Sequence, residues 1–192
     1  LALISYYFVM FVTPGPNNAM LTASGIKFGF KKTLPHAFGI PFGHIIQITL
    51  VCFGLGTLFQ KYPIIQFYLK WLCFFYLLYL GWKILGSLSN NKKETGRPLK
   101  FYEAALFQFI NPKAWVVALT AATAFFPNEE NFITATIFVA GTAPFVCIPA
   151  ICIWALFGSS IKLIIKNTKI KKIIEYLLAL LLVVTAVIIV ID

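Results

Sequence analysis

The chain has 192 residues, 60% of them hydrophobic and 11% charged, with a mean hydropathy of +0.87. A soluble domain is about 45–50% apolar and about 25% charged, so this composition excludes an ordinary soluble fold and indicates an integral membrane protein. The net charge of +10 raises nucleic acid as a partner, but the basic residues sit in short loops between apolar runs, where they act as orientation signals and lipid-headgroup contacts.

Six apolar runs follow in chain order. A helical span needs roughly 20 apolar residues, so six of them use nearly the whole chain and leave no room for a soluble domain. The first run covers about 2–24 and holds the stretch Thr13-Pro14-Gly15-Pro16-Asn17-Asn18 at its middle. Pro14 and Pro16 each lack a backbone donor, and each ring clashes with the carbonyl four residues back. Thr13 and Gly15, each preceding a proline, are pushed out of the α region. The helix is therefore expected to stop and restart near Asn17 or Asn18. In hydrocarbon such a break survives only if it is buried in protein or lines a wet cavity. The run also lacks a basic flank in front, which argues against a cleavable signal peptide.

A basic loop with Lys27, Lys31 and Lys32 leads to the second run, about 35–59. It contains Gly39, Pro41 and Gly43, a pattern that lets another helix approach closely. The third run covers about 64–86. A polar segment with Lys92, Lys93 and Arg97 follows, and then the fourth run, about 102–126. Asn111-Pro112-Lys113 lies inside that run, and Pro112 cannot donate to Gln108, which predicts a second weak point. The fifth run, about 132–158, carries Pro144 and Pro149. A lysine-rich loop precedes the sixth run, about 173–191.

Loops one, three and five are rich in Lys and Arg, which assigns them to the cytoplasm and both termini to the outside. An Asn/Pro break then occurs in the first helix of each half, running in opposite directions. That is the mark of an inverted repeat. The expected fold is an all-α integral membrane domain of six transmembrane helices, built as two inverted three-helix repeats. Repeat one covers about 1–86, repeat two about 102–192, and a cytoplasmic linker about 87–101 joins them.

The polar groups drawn deep in the spans are Thr13, Asn17, Asn18, His44, Gln47, Gln108, Asn111, Lys113, Thr120 and Thr123. A lysine at a helix centre costs about 2.5–3.5 kcal/mol on insertion scales, so Lys113 is expected to face the bundle interior. The plainer alternative is a lysine that pairs with freed carbonyls near Pro112 or snorkels to an interface. His44 is read either as a packing residue or as a proton relay. No acidic residue is drawn deep in a span, Glu103 and Glu175 falling near helix ends. Hard cations want carboxylates, so neither a metal nor another cofactor is called for. The polar set suits a small zwitterion instead. Helix N-termini and Lys113 attract its carboxylate, with Asn17, Asn18, Asn111 and His44 as further binding residues. The freed carbonyls of Met10, Val12 and Gln108 are expected to accept its ammonium. The other partner is the lipid bilayer; a homo-oligomer is left open.

Phe11-Val12-Thr13-Pro14-Gly15-Pro16-Asn17 resembles the N-terminal signature of the LysE/RhtB amino-acid exporters, as do Gly25, Gly29, Gly39 and Gly43 at their spacings after it. Leu69-Lys70-Trp71 through Gly81 is similar to that family's third span. Phe109-Ile110-Asn111-Pro112-Lys113-Ala114 resembles its Asn-Pro-Lys motif, and Trp154 with Gly158 the end of its fifth span. Gln108 stands where the family usually has an asparagine, and the last helix lacks the family's glycines. The resemblance implies export of amino acids or close derivatives from the bacterial cytoplasm, across the inner membrane, with the proton motive force as driver. It implies Pro14, Gly15, Pro16, Asn17, Asn111, Pro112 and Lys113 as central residues.

Two other classes compete. A membrane thiol-electron carrier of the same wider superfamily would place cysteines beside these prolines. Here those positions are Gly15, Asn17, Asn111 and Lys113, while Cys52, Cys73, Cys147 and Cys152 form no C-x-x-C pair and read as packing residues. A membrane enzyme is less well supported, for there is no deep Ser-His-Asp set and no paired carboxylates.

Overall fold

The computed structural model describes residues 1–86, 97–127, 131–164 and 167–191. The described residues are helical with short connections and contain no strand. Most of the linker drawn at about 87–101, and Asn128, Glu129 and Glu130 of the loop after the fourth run, lie outside them.

Helix α1 (Ala2–Val12) ends where Thr13 turns extended, φ −60° and ψ 138°, because Pro14 follows it. Helix α2 (Pro16–Phe28) restarts with Pro16 in its first turn, where a missing N–H costs nothing. Gly29, at φ 84°, joins α2 directly to α3 (Phe30–Leu50) through a left-handed conformation that a side chain would resist. Pro35 and Pro41 lie inside α3. The chain then widens into a π turn (Val51–Leu55) around Gly54 at φ 104°, and continues as α4 (Gly56–Lys61). Helix α5 (Pro63–Ile84) follows.

The fourth run is broken like the first. Helix α6 (Phe101–Phe107) tightens through successive i→i+3 bonds, Gln108 N to Ala105 O at 3.2 Å and Phe109 N to Leu106 O at 3.1 Å. Asn111 is extended before Pro112, and α7 (Pro112–Ala124) begins. Helix α8 (Phe132–Ile164) runs past Gly158, where the sequence pattern had ended it, and α9 (Thr168–Ile191) starts several residues early. Among the described residues, four stretches are long and apolar enough to cross a membrane: Phe30–Leu58, Pro63–Ile84, Phe132–Ile161 and Thr168–Ile191. The pairs α1/α2 and α6/α7 are each interrupted, and no single piece reaches that length.

Helix α8 is the hub and packs on α1, α2 and α3, while α5 packs on α9. Small residues bring the backbones together. A Cβ added at Gly158 would lie 2.2 Å from Thr22 O, and one at Gly25 2.5 Å from Ala155 O. On α3, a Cβ at Gly39 would lie 2.2 Å from Phe101 O and one at Gly43 2.5 Å from Ala105 O, so α6 is the helix that approaches there. Pro41 is buried between them. Large apolar side chains such as Phe75, Phe145 and Ile188 point outward. An apolar exterior of that extent is suited to lipid.

Candidate substrate site at the helix breaks

The two breaks are joined by side chains. Lys113, in the first turn of α7, spans back to the first break: its Nζ donates to Thr13 O at 2.7 Å and to Pro14 O at 3.4 Å. Its stem passes over Gly15, where an added Cβ would lie 3.0 Å from Lys113 Cδ. Asn17 and Gln108 form a reciprocal amide pair, Asn17 Nδ2 donating to Gln108 Oε1 at 2.9 Å and Gln108 Nε2 to Asn17 Oδ1 at 3.3 Å. Gln108 Nε2 also donates to Ala104 O at 2.8 Å, and Asn111 Nδ2 donates to Gln108 Oε1 at 3.5 Å.

The carbonyls freed by the prolines differ from expectation. Val12 O accepts from Trp154 Nε1 at 3.3 Å, and Gln108 O accepts from Gln47 Nε2 at 3.1 Å. Among the described residues, Met10 O has only the long 3.4 Å bond from Thr13 Oγ1, whose other bond goes to Val9 O. Two of the three oxygens assigned to a guest ammonium are thus held by the protein's own donors, because a buried carbonyl without a partner is costly. Asn18 lines the cavity between the breaks and also has a structural task. Its Nδ2 donates to Phe11 O at 3.0 Å and Thr13 O at 2.8 Å, tying off the end of α1. Trp154 and Gln47 had no assigned part in the site, and Gln108 only through its main-chain carbonyl, not its side chain. Asking which donor covers each carbonyl freed by a proline is the signal that would have drawn them in.

Between the breaks lies a cavity of about 20 Å³, lined among others by Phe11, Pro16, Asn17, His44, Asn111 and Lys113. That is room for roughly one water, so the site is closed in this conformation. Among the described residues, His44 Nδ1 and Asn111 Oδ1 are buried without a hydrogen-bond partner. Buried polar atoms are normally satisfied, and both residues line the cavity. The N-termini of α2 and α7 meet there too, contributing partial positive charge. Thr123 is committed to its own helix, Oγ1 to Leu119 O at 2.8 Å. The four cysteines are free thiols, and none lines this cavity. Among the described residues no cluster of three or more His, Cys, Asp or Glu could hold a metal ion.

The amide pair predicts its own thermodynamics. Asn17→Ala and Gln108→Ala each remove both bonds of the pair, so their costs in unfolding free energy are expected not to add. A double-mutant cycle read from unfolding in detergent should give a coupling of about 0.5–1.5 kcal/mol. A coupling of zero would mean that the pair does not hold the breaks together.

A polar cavity between two interrupted helices in an apolar bundle is the arrangement with which membrane transporters hold a substrate. The chain belongs to the LysE type translocator family, whose model matches residues 8–192, and with its long apolar helices it is a multi-pass membrane protein. It is similar to the cysteine/O-acetylserine efflux protein of Salmonella typhi, 29% identical over 161 residues, which cover 80% of this chain and 79% of that protein. The protein of the same description from Escherichia coli (strain K12) is 27% identical over 161 residues, with the same shares covered. No solved structure matches the chain.

Proposed function

We propose that the protein exports a small amino acid or amino-acid derivative from the bacterial cytoplasm as a secondary transporter driven by the proton motive force. The observation that carries this reading is the Lys113 ammonium lying on the Thr13 and Pro14 carbonyls, beside the N-termini of two half-helices. These are the two opposite charges that a zwitterion needs. Helix N-termini attract a carboxylate, and extended carbonyls accept an ammonium. Lys113 fills the second role from within while the cavity is closed. A guest that opens the site exchanges with it, so its carboxylate meets Lys113 and its ammonium meets the carbonyls. Asn17, Asn18, Asn111 and His44 complete the polar lining. The similar proteins are described as effluxing cysteine and O-acetylserine, and a small neutral side chain suits the apolar wall of Met10, Ile40, Val117 and Ile151.

In this reading α1/α2, α3 with α4, α5, α6/α7, α8 and α9 make six crossings of the inner membrane as two inverted repeats. The basic loops lie in the cytoplasm and both termini lie outside. Overexpression in a bacterial strain fed amino-acid mixtures or dipeptides tests it. An amino acid or close derivative is expected to accumulate in the medium, and to stop accumulating when an uncoupler collapses the proton gradient. No enrichment of any such compound would retire the substrate class. Enrichment that an uncoupler leaves unchanged would retire the coupling.

A further inference from the structure

A second cavity, of about 520 Å³, lies at the basic-loop end of α2. Its volume is in the range of small-molecule sites, about 300–1,000 Å³. It is lined by Met20, Ala23, Ser24 and Lys27 of α2, by His36 of α3, by the end of α5 and by residues 97–99 before α6. It is stacked on the central cavity along two helices. Asn17 lines the central cavity and Met20 the larger one, one turn apart on one face of α2. On α3, His36 lines the larger cavity, and Ile40 and His44 line the central one. His36 and His44 are eight residues apart, about 12 Å along the helix. One of the residues lining the larger cavity, His36, is a polar group without a partner among the described residues. His36 is buried, and among the described residues neither ring nitrogen has a hydrogen-bond partner. A neutral imidazole offers one donor and one acceptor. Around the rim stand Lys27, Lys83 and Arg97. Arg97 is held by Glu103 through two bonds of 2.6 Å, and Lys83 lies over the Tyr79 ring at 5.6 Å.

We infer that this cavity is the inner vestibule of the transport path, a first binding site in which His36 and the basic rim hold a small zwitterionic amino acid before it passes Met20 to the central site. The inference rests on the export reading above. The carboxylate faces the lysines at the rim, and the imidazole hydrogen-bonds the guest.

Uptake of radiolabelled O-acetyl-L-serine into inside-out vesicles tests this. His36→Leu removes both ring nitrogens and is expected to raise the half-saturation concentration roughly tenfold with the maximal rate little changed. His36→Gln, which keeps a donor and an acceptor, is expected to restore most of the affinity, an outcome that a merely structural role would not give. Ala23→Cys provides a readout that does not depend on His36 variants folding. A membrane-impermeant thiosulfonate applied from the cytoplasmic face should block its transport, and O-acetyl-L-serine should protect it; the wild-type protein with its own thiols is the blank. Wild-type vesicles that take up neither O-acetyl-L-serine nor any labelled compound of an amino-acid mixture overturn the export reading and the vestibule together. Normal wild-type uptake, with an unchanged half-saturation concentration in His36→Leu or no protection of Ala23→Cys, overturns the vestibule alone.

Discussion

Lys113→Met is expected to lower the initial rate of amino-acid export by about 10–100-fold while the protein still folds. Methionine fills most of the space of the lysine stem, so the passage over Gly15 stays packed. What is lost is the ammonium and its bonds to Thr13 O and Pro14 O. The stability cost is small for a specific reason. Thr13 O keeps its bond from Asn18 Nδ2 at 2.8 Å, and the bond lost at Pro14 O is a long one of 3.4 Å. One interhelical bond in a membrane protein is worth about 0.6–2 kcal/mol. On the proposed reading the effect on transport is larger, because a hydrogen bond to a charged group is worth about 1.5–3 kcal/mol and, among the described residues, Lys113 is the one Lys or Arg lining the central cavity. Efflux rates and unfolding temperatures measured on the same preparation separate the two effects. Wild-type efflux from a folded Lys113→Met protein would remove this residue from the mechanism.

Proline made the breaks legible. Pro14, Pro16 and Pro112 each delete a donor and constrain the residue before them; the first helix stops at Val12 and restarts at Pro16, while in the fourth run the regular helix ends earlier, at Phe107, and restarts at Pro112. The partners of the freed carbonyls were not legible, because they come from far along the chain. Trp154 is 142 residues from Val12, and Gln47 is 61 residues from Gln108. No local pattern encodes such a meeting; it follows from how α8 and α3 pack. Helix ends were misjudged where charge was taken for loop. Lys169, Lys171 and Lys172 lie in the first turns of α9, since a helix can leave the hydrocarbon and continue in water. Glu175 was accordingly drawn near an end, but it lies two turns inside α9 and is buried. Gly158 was read as the close of the fifth span. It is instead a contact point within α8, which continues to Ile164.

That contact point carries the largest expected effect on stability. At the crossing of α2 and α8, a Cβ on Gly158 would lie 2.2 Å from Thr22 O and 2.9 Å from Thr22 Cα. The obstacle is backbone on a regular helix, which cannot rotate away as a side chain tip would, so the helices have to separate. Gly158→Ala is expected to cost about 2–4 kcal/mol and to lower the unfolding temperature by roughly 5–15 °C. Gly141→Ala on the same helix is the control. Nothing lies within 4 Å of the Cβ added there, and removing a mid-helix glycine stabilises by about 0.5–1 kcal/mol. The two substitutions are chemically identical and share a helix, so a difference between them reports the crossing alone. Separation at Gly158 also reaches the site, because α2 carries both Thr22 and Asn17. A displaced α2 pulls Asn17 Nδ2 from the 2.9 Å contact with Gln108 Oε1. Export by Gly158→Ala should therefore fall even at temperatures where the protein remains folded. Equal unfolding temperatures for the two variants would mean that α2 and α8 can move apart freely, and the positioning of Asn17 would then need another cause.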